Sequence, residues 1–418
     1  MTLLLWIFVI LLLLKTLADS GLDILNLRAA MRNRDAVPDG FAGFMDADSY
    51  RKSIDYTVAK LRFGLIESCF STIVLAVIVI SGFLPWLFAV FTDWFGVGCW
   101  GQGLTLIAVF TVLSLPSIPF DAWSTFKIEA EFGFNRTSIS LWIIDKIKGF
   151  FISLCLAWPL LALLIAFVSW FPLTWWLWGF LLFFGFQLLM AVIYPMWIMP
   201  LFNKLEPLPE GELKTALFAL AERTGFKAKT ILVIDGSRRS AHSNAFFAGF
   251  GRFRRIVLYD TLMKQLQTRQ LEAVLAHEIG HYKLGHIPKM LLLSAIISLA
   301  VFGLLGVLSH WSGFVAGFGF DVEALPTTAP TLLLFMLLAG LVGFWLSPLT
   351  HRRSRKHEYE ADDFARDAMQ SPQPLIEALQ CLHKENLSNP TPHPLYSAFH
   401  YSHPVVLERI RALNTPAS

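Results

Sequence analysis

The sequence predicts a mainly α, polytopic membrane protein: seven membrane helices, with polar segments on one face that form a domain carrying a small β-sheet. Three observations predict it. Of 418 residues, 55% are hydrophobic and only 16% charged, with a mean hydropathy of +0.56, which is too apolar for a soluble chain. Seven apolar stretches punctuate the chain, and the loops between them alternate between rich in Lys and Arg and free of both. Two long polar regions, residues 200–288 and 351–418, fall on the same side of that alternation.

The first stretch, residues 2–14, is followed rather than preceded by positive charge, so a cleaved leader, which needs a basic start, does not fit. Arg28, Arg32, Arg34, Arg51, Lys52, Lys60 and Arg62 make the next loop strongly basic. The second span is expected at about 64–91, and the link 92–100 has no Lys or Arg. The third runs to about 116, before a loop with Lys127, Arg136, Lys146 and Lys148. The fourth (149–167) and fifth (173–198) are joined by a Trp-rich interface at Trp170, Trp175 and Trp176. The sixth (289–308) and seventh (330–349) flank a link with Asp321 and Glu323 but no basic residue. Since basic loops stay in the cytoplasm, the N-terminus is expected outside and both long polar regions inside. The chain divides accordingly into 1–199 (five spans with their loops), 200–288 (first long polar segment), 289–349 (two spans) and 350–418 (C-terminal polar segment).

The four cysteines, Cys69, Cys99, Cys155 and Cys381, are scattered, with neither a disulfide framework nor a sulfur-ligated metal implied. The basic residues flank apolar segments, where topology explains them, and no nucleic-acid partner is expected. Within 200–288, residues 210–224 read as an amphipathic helix, and 230–234, 243–250 and 256–259 as short strands, with Gly249 and Gly251 as turn residues.

The stretch His277-Glu278-Ile279-Gly280-His281 carries the chemistry. Residues 268–286 read as one helix, with Thr268 as N-cap and Gly285 as stop. Positions four apart share a helix face, so His277 and His281 can grip one Zn²⁺. Glu278 lies beside that face, where it can act as general base toward an attacking water without taking a metal position. A third ligand is available after the seventh span, in Ser354-Arg355-Lys356-His357-Glu358-Tyr359-Glu360-Ala361-Asp362, which reads as a second helix. Glu358 completes a His₂Glu set, and Asp362, one turn on, can accept a hydrogen bond from the outer N–H of a ligand histidine. Glu360 and Asp363 read as a solvated face and His357 as a surface residue. Asn244 and His403 are candidates to stabilise the oxyanion.

Those segments resemble the type I CAAX prenyl proteases, integral-membrane zinc metallopeptidases. The resemblance rests on SIPFDAWSTFKIEAEFGFN (117–135), HSNAFF (242–247), HEIGH (277–281), SRKHEYEADDFA (354–365) and PLYSAFHYSHPVVLERIR (394–411), and covers nearly the whole chain. It implies His277, His281 and Glu358 as ligands of one zinc per chain, and Glu278 as base. It also implies Asp362 and Arg409 as supports of the site, and Asn244 and His403 as transition-state stabilisers. It further implies a zincin-like catalytic domain and an α-barrel of seven helices around a chamber. Asn244, Ala245, Phe246, Phe247 and Ala248 would be an edge strand on which an extended peptide, possibly prenylated, adds as one more strand.

The expected molecule is a monomer in a lipid bilayer. The terminal Pro416-Ala417-Ser418 carries no retrieval signal, which favours a bacterial cytoplasmic membrane over the ER. Two other functions fit the same residues. One is a broad-specificity protease of membrane-protein quality control; the other is a non-catalytic scaffold with a relic site.

Overall fold

The computed structural model describes residues 1–38, 40–226, 230–248, 255–323 and 326–415. Among these, seven helices are long and apolar enough to cross a membrane: Leu3–Arg32, Ala47–Ile80, Cys99–Glu129, Ile139–Trp170, Trp175–Phe202, His286–Ser309 and Thr328–Met369. No more than 22% of the most apolar window of any of them is buried inside the protein. Most of each such window is therefore left uncovered by the protein itself. Leu3, Leu292 and Leu349 are 76%, 63% and 68% exposed; apolar surface this open calls for hydrocarbon around it.

The second span differs from its expected limits. It runs from Ala47 to Ile80 and stops at Gly82, whose φ of +78° is left-handed backbone that suits glycine. Residues 83–91, expected to continue the span, belong instead to a separate apolar helix, Phe83–Phe95, which also takes in the start of the expected link. Phe88 of that helix packs in one core with Phe8, Val109, Trp175, Phe302 and Leu333, which ties spans one, three, five, six and seven together. Inside the first span, Lys15 Nζ lies 2.6 Å from Asp19, one turn away.

The polar region builds a four-stranded sheet, β1 (Leu205–Pro207), β2 (Ile231–Ile234), β3 (Ala245–Ala248) and β4 (Arg255–Tyr259), in the order β1-β2-β4-β3. β2 and β4 are parallel, with Ile231 opposite Ile256, and the two outer pairings are antiparallel. Three strands stand where the sequence put them. β1 was not foreseen; it contains Pro207, which an edge strand tolerates. Gly249 and Gly251 lie outside the described residues, as do residues 416–418. Ile231, Ile256 and Leu258 close over a core shared with the Glu212–Arg223 helix, the Thr268–Lys283 helix and Ala365.

Two helix boundaries were read differently from sequence. The motif helix is Thr268–Lys283, and its N-cap is Gln267, not Thr268: Gln267 and Gln270 cap each other's backbone reciprocally. Gly285 adopts φ +67°, and the sixth span starts at the next residue, His286. The larger difference concerns Glu358. It does not sit on a separate helix after the seventh span; a single 42-residue helix, Thr328–Met369, is both the span and the bearer of Glu358 and Asp362. Its periodicity changes from all-round apolar to one-sided where it leaves the membrane, so the sequence reads as two elements what the backbone makes as one.

Candidate metal centre

The motif helix and the long seventh helix cross at Gly280. A Cβ there would meet Ala361 Cα and Phe364 Cβ, each at 3.1 Å, so the absence of a side chain is what lets the helices approach. That approach places Glu358 opposite the two histidines. His277 Nε2 and His281 Nε2 are 3.1 Å apart. Glu358 Oε2 lies 3.4 Å from the first, and Oε1 3.3 Å from the second. Ligands at 2.0–2.1 Å in a tetrahedron are separated by about 3.3 Å, so the three donors present one corner-sharing face of a zinc site. Two imidazoles and a carboxylate also match zinc's preference. The donor set fits the ion.

The surroundings hold these donors in place. His277 Nδ1 is 2.8 Å from Asp362 Oδ1. Arg409 grips both oxygens of Asp362, through Nε at 2.8 Å and Nη2 at 2.6 Å, and its Nη1 is 3.7 Å from Glu358 Oε2. Burial opposes a charge on His277, but hydrogen bonds to Asp362 and Glu358 outweigh it and push the imidazole up to about 9. The site therefore attracts positive charge strongly. Glu278 is half-buried, and no hydrogen bond among the described residues engages its carboxylate; burial pushes its pKa up.

Asn244 and His403 line the same cavity as His277, Glu278, His281 and Glu358, a space of about 1160 Å³. His403 Nδ1 is 3.8 Å from Glu358 Oε1. Asn244 Oδ1 accepts from the Ala245 N–H at 2.8 Å. Ala245 and Phe246 also line it, on β3, at the edge of the sheet. The backbones of Phe247 and Ala248 continue that strand, while their side chains lie outside the described residues.

His357, read as a surface residue from sequence, is 7% exposed. Glu360, read as part of a solvated face, keeps 36% of its side chain exposed but also accepts a hydrogen bond from His286 at 2.9 Å. Sequence reasoning passed over His286 altogether. It stands five residues after His281, a spacing that shares no helix face, and only the left-handed turn at Gly285 folds it back. The motif HxxxxH followed by glycine-turn geometry was the one available signal.

Seven spans with a His–His–Glu centre and a free carboxylate beside it define an integral-membrane metallopeptidase. Comparison with known proteins agrees over the whole chain. Residues 26–204 match the CAAX prenyl protease N-terminal family, described by five membrane helices, and residues 207–417 match peptidase family M48. CAAX prenyl protease 1 of Saccharomyces cerevisiae is 36% identical over 88% of this chain and 86% of its own. The Arabidopsis thaliana homologue is 36% identical over 90% of both chains, and the human homologue 31% identical over 91% and 89%. The crystal structure of S. mikatae Ste24p superposes with a TM-score of 0.92 at 30% identity, covering 99% of this chain and 100% of that one. The chain belongs to peptidase family M48, in its CAAX prenyl protease branch.

Proposed function

We propose that this protein hydrolyses a peptide bond near the C-terminus of a prenylated or membrane-associated substrate, at a zinc ion held by His277, His281 and Glu358. The convergence of those three donors from two distant segments, with Glu278 free beside them, carries the reading. Zinc, when bound, supplies Lewis acidity toward the scissile carbonyl and a water with a pKa near 7. Glu278 accepts the proton of the attacking water and delivers it to the leaving amine. Asn244 and His403 face the cavity as donors toward the developing oxyanion. The edge position of β3 suits an extended peptide that adds as a further strand, aligned by Ala245, Phe246, Phe247 and Ala248. Arg409 and Asp362 hold His277.

One chain supplies every one of these groups, which supports action as a monomer. The alternation of basic and non-basic loops supports an N-terminus outside and the catalytic face in the cytoplasm. A prenylated substrate is inferred from the names of the relatives, each called a CAAX prenyl protease 1 or its homologue. The test is cleavage of a farnesylated CAAX-type peptide and of its unmodified twin by purified protein. Zinc-dependent cleavage that prefers the farnesylated peptide is expected, and Glu278→Ala should abolish it while zinc stays bound. Equal rates on both peptides would favour broad-specificity quality control instead. Wild-type turnover by Glu278→Ala would remove the mechanism.

A further inference from the structure

The two histidines of the centre are supported differently. His277 Nδ1 meets a carboxylate directly, Asp362, at 2.8 Å. His281 Nδ1 meets another imidazole: it lies 2.9 Å from His286 Nδ1. His286 Nε2 in turn lies 2.9 Å from Glu360 Oε2. The His286 side chain is 1% exposed, and its ring lies flat on that of His357, with centroids 4.1 Å apart and planes at 6°.

Proton placement along this row has one consistent solution. His281 turns Nε2 toward His277 and Glu358, so its lone pair there serves the cation and its proton must sit on Nδ1. His281 therefore donates to His286 Nδ1. His286, having accepted at Nδ1, carries its own proton on Nε2 and donates it to Glu360. Each donor meets an acceptor, and the negative end of the row is the carboxylate.

Resting on the zinc reading above, we propose that His286 and Glu360 are positioning residues of the metal centre. Through His286, Glu360 fixes the tautomer and ring orientation of His281 and raises its basicity, as Asp362 does for His277 without an intermediary. Stacking on His357 holds the His286 ring in the plane that the relay needs. The fold assembles the row from three places: the motif helix, the first residue of the sixth span, and the seventh helix two residues beyond Glu358. The left-handed Gly285 makes the first junction.

The same cluster has a competing use. His286, His357 and Glu360 have ligand-type atoms within 4.8 Å of one another, which is close enough for a second cation. Both nitrogens of His286 are already committed, however, so a cation there would break its bond to His281. The relay and a second metal site exclude each other.

The experiment is zinc binding by full-length purified protein, read as stoichiometry, as affinity in competition with a chromogenic chelator, and as the visible spectrum of the cobalt(II)-substituted form. The wild type should hold one zinc. His286→Phe keeps a ring against His357 but removes both nitrogens; its zinc affinity should fall about 10–100-fold, with an altered cobalt spectrum. Glu360→Ala should weaken binding in the same direction and less. His286→Gln, whose amide oxygen can accept from His281, should recover part of the loss, a rescue that a merely space-filling role would not give. Unchanged affinity and spectrum in both His286→Phe and Glu360→Ala would overturn the proposal. So would a second tightly held zinc in the wild type that His357→Ala removes. A wild type that binds no zinc would sink the functional reading itself, and this one with it, whereas a failed relay leaves the one-zinc centre standing.

Discussion

Gly280 and Ala361 meet backbone against backbone: a methyl group on Gly280 would sit 3.1 Å from the Ala361 Cα. The metal-binding geometry depends on this contact, since His281 is the next residue and Glu358 lies about one turn from Ala361. Gly280→Ala should force the helices apart by a few tenths of an ångström and cost about 1–3 kcal/mol of stability. Zinc affinity should drop by about tenfold or more. Gly280→Leu should leave a protein that holds no zinc. Thermal unfolding in detergent and zinc titration check both; full zinc affinity in the leucine variant would contradict the close-approach argument.

Arg409 neutralises a carboxylate that is 1% exposed, Asp362, through two hydrogen bonds. Arg409→Ala strands that charge in the protein, and breaking a buried pair this way costs about 3–5 kcal/mol. Arg409→Lys restores the charge but not the two-pronged grip, and should lie between. The midpoint of thermal unfolding should rank wild type above lysine above alanine. An alanine variant as stable as the wild type would mean that Asp362 is not held as a charged group.

Asn244 and His403 should act on the chemical step. Replacing either with alanine should lower kcat about 10²–10³-fold, the usual loss for one oxyanion donor. KM and zinc content should change little. Steady-state kinetics on a peptide substrate separate the two constants, and a rise in KM with kcat intact would reassign the residue to substrate binding.

His383, on the wall of the same cavity but outside the candidate ligand set, gives the protein an acid-sensitive limb. It is 7% exposed, packs 5.1 Å from the Phe41 ring, and has no hydrogen-bond partner on Nε2 among the described residues. Burial pushes its pKa down to about 4, against 6.5 for a free imidazole. A base whose folded pKa is depressed costs stability when it must charge. Its contribution is therefore complete above pH 6.5 and is lost as pH falls toward 4, amounting to up to about 3 kcal/mol. His383→Leu should flatten the pH dependence of the unfolding temperature between 6.5 and 4. A limb as steep as that of the wild type would assign the sensitivity to other groups.

Peptide binding at β3 can be probed from the ligand side. If the substrate pairs with the open edge of the Ala245–Ala248 strand, N-methylation of alternate amides in a peptide substrate should raise KM in steps that follow the two-residue period of a strand. Equal tolerance at every amide would rule out strand addition.

Much of the molecule was legible in the chain because its signals are local or periodic. Seven apolar runs and the alternation of basic loops announce membrane spans, and the four-residue spacing of His277 and His281 announces a shared helix face. Two of the four strands were readable from β-branched runs and a third from the Phe pair before a glycine; β1 was not, being three residues long and ending in proline. The break at Gly82 escaped because hydropathy runs unchanged across it, and only backbone handedness marks the turn. Glu360 and His357 looked like solvent-facing charge because their partner, His286, lies more than 70 residues away in sequence.

By itself the sequence determined the class of environment, the number of spans and the shared helix face of His277 and His281, because hydrophobicity and helical spacing are properties of neighbours along the chain. The tertiary structure decided that the span and the Glu358 helix are one element, that glycine at 280 brings it within reach, and that His286 links His281 to Glu360. Those relations join residues from separate segments, and they exist only once helix packing has fixed which side chains meet.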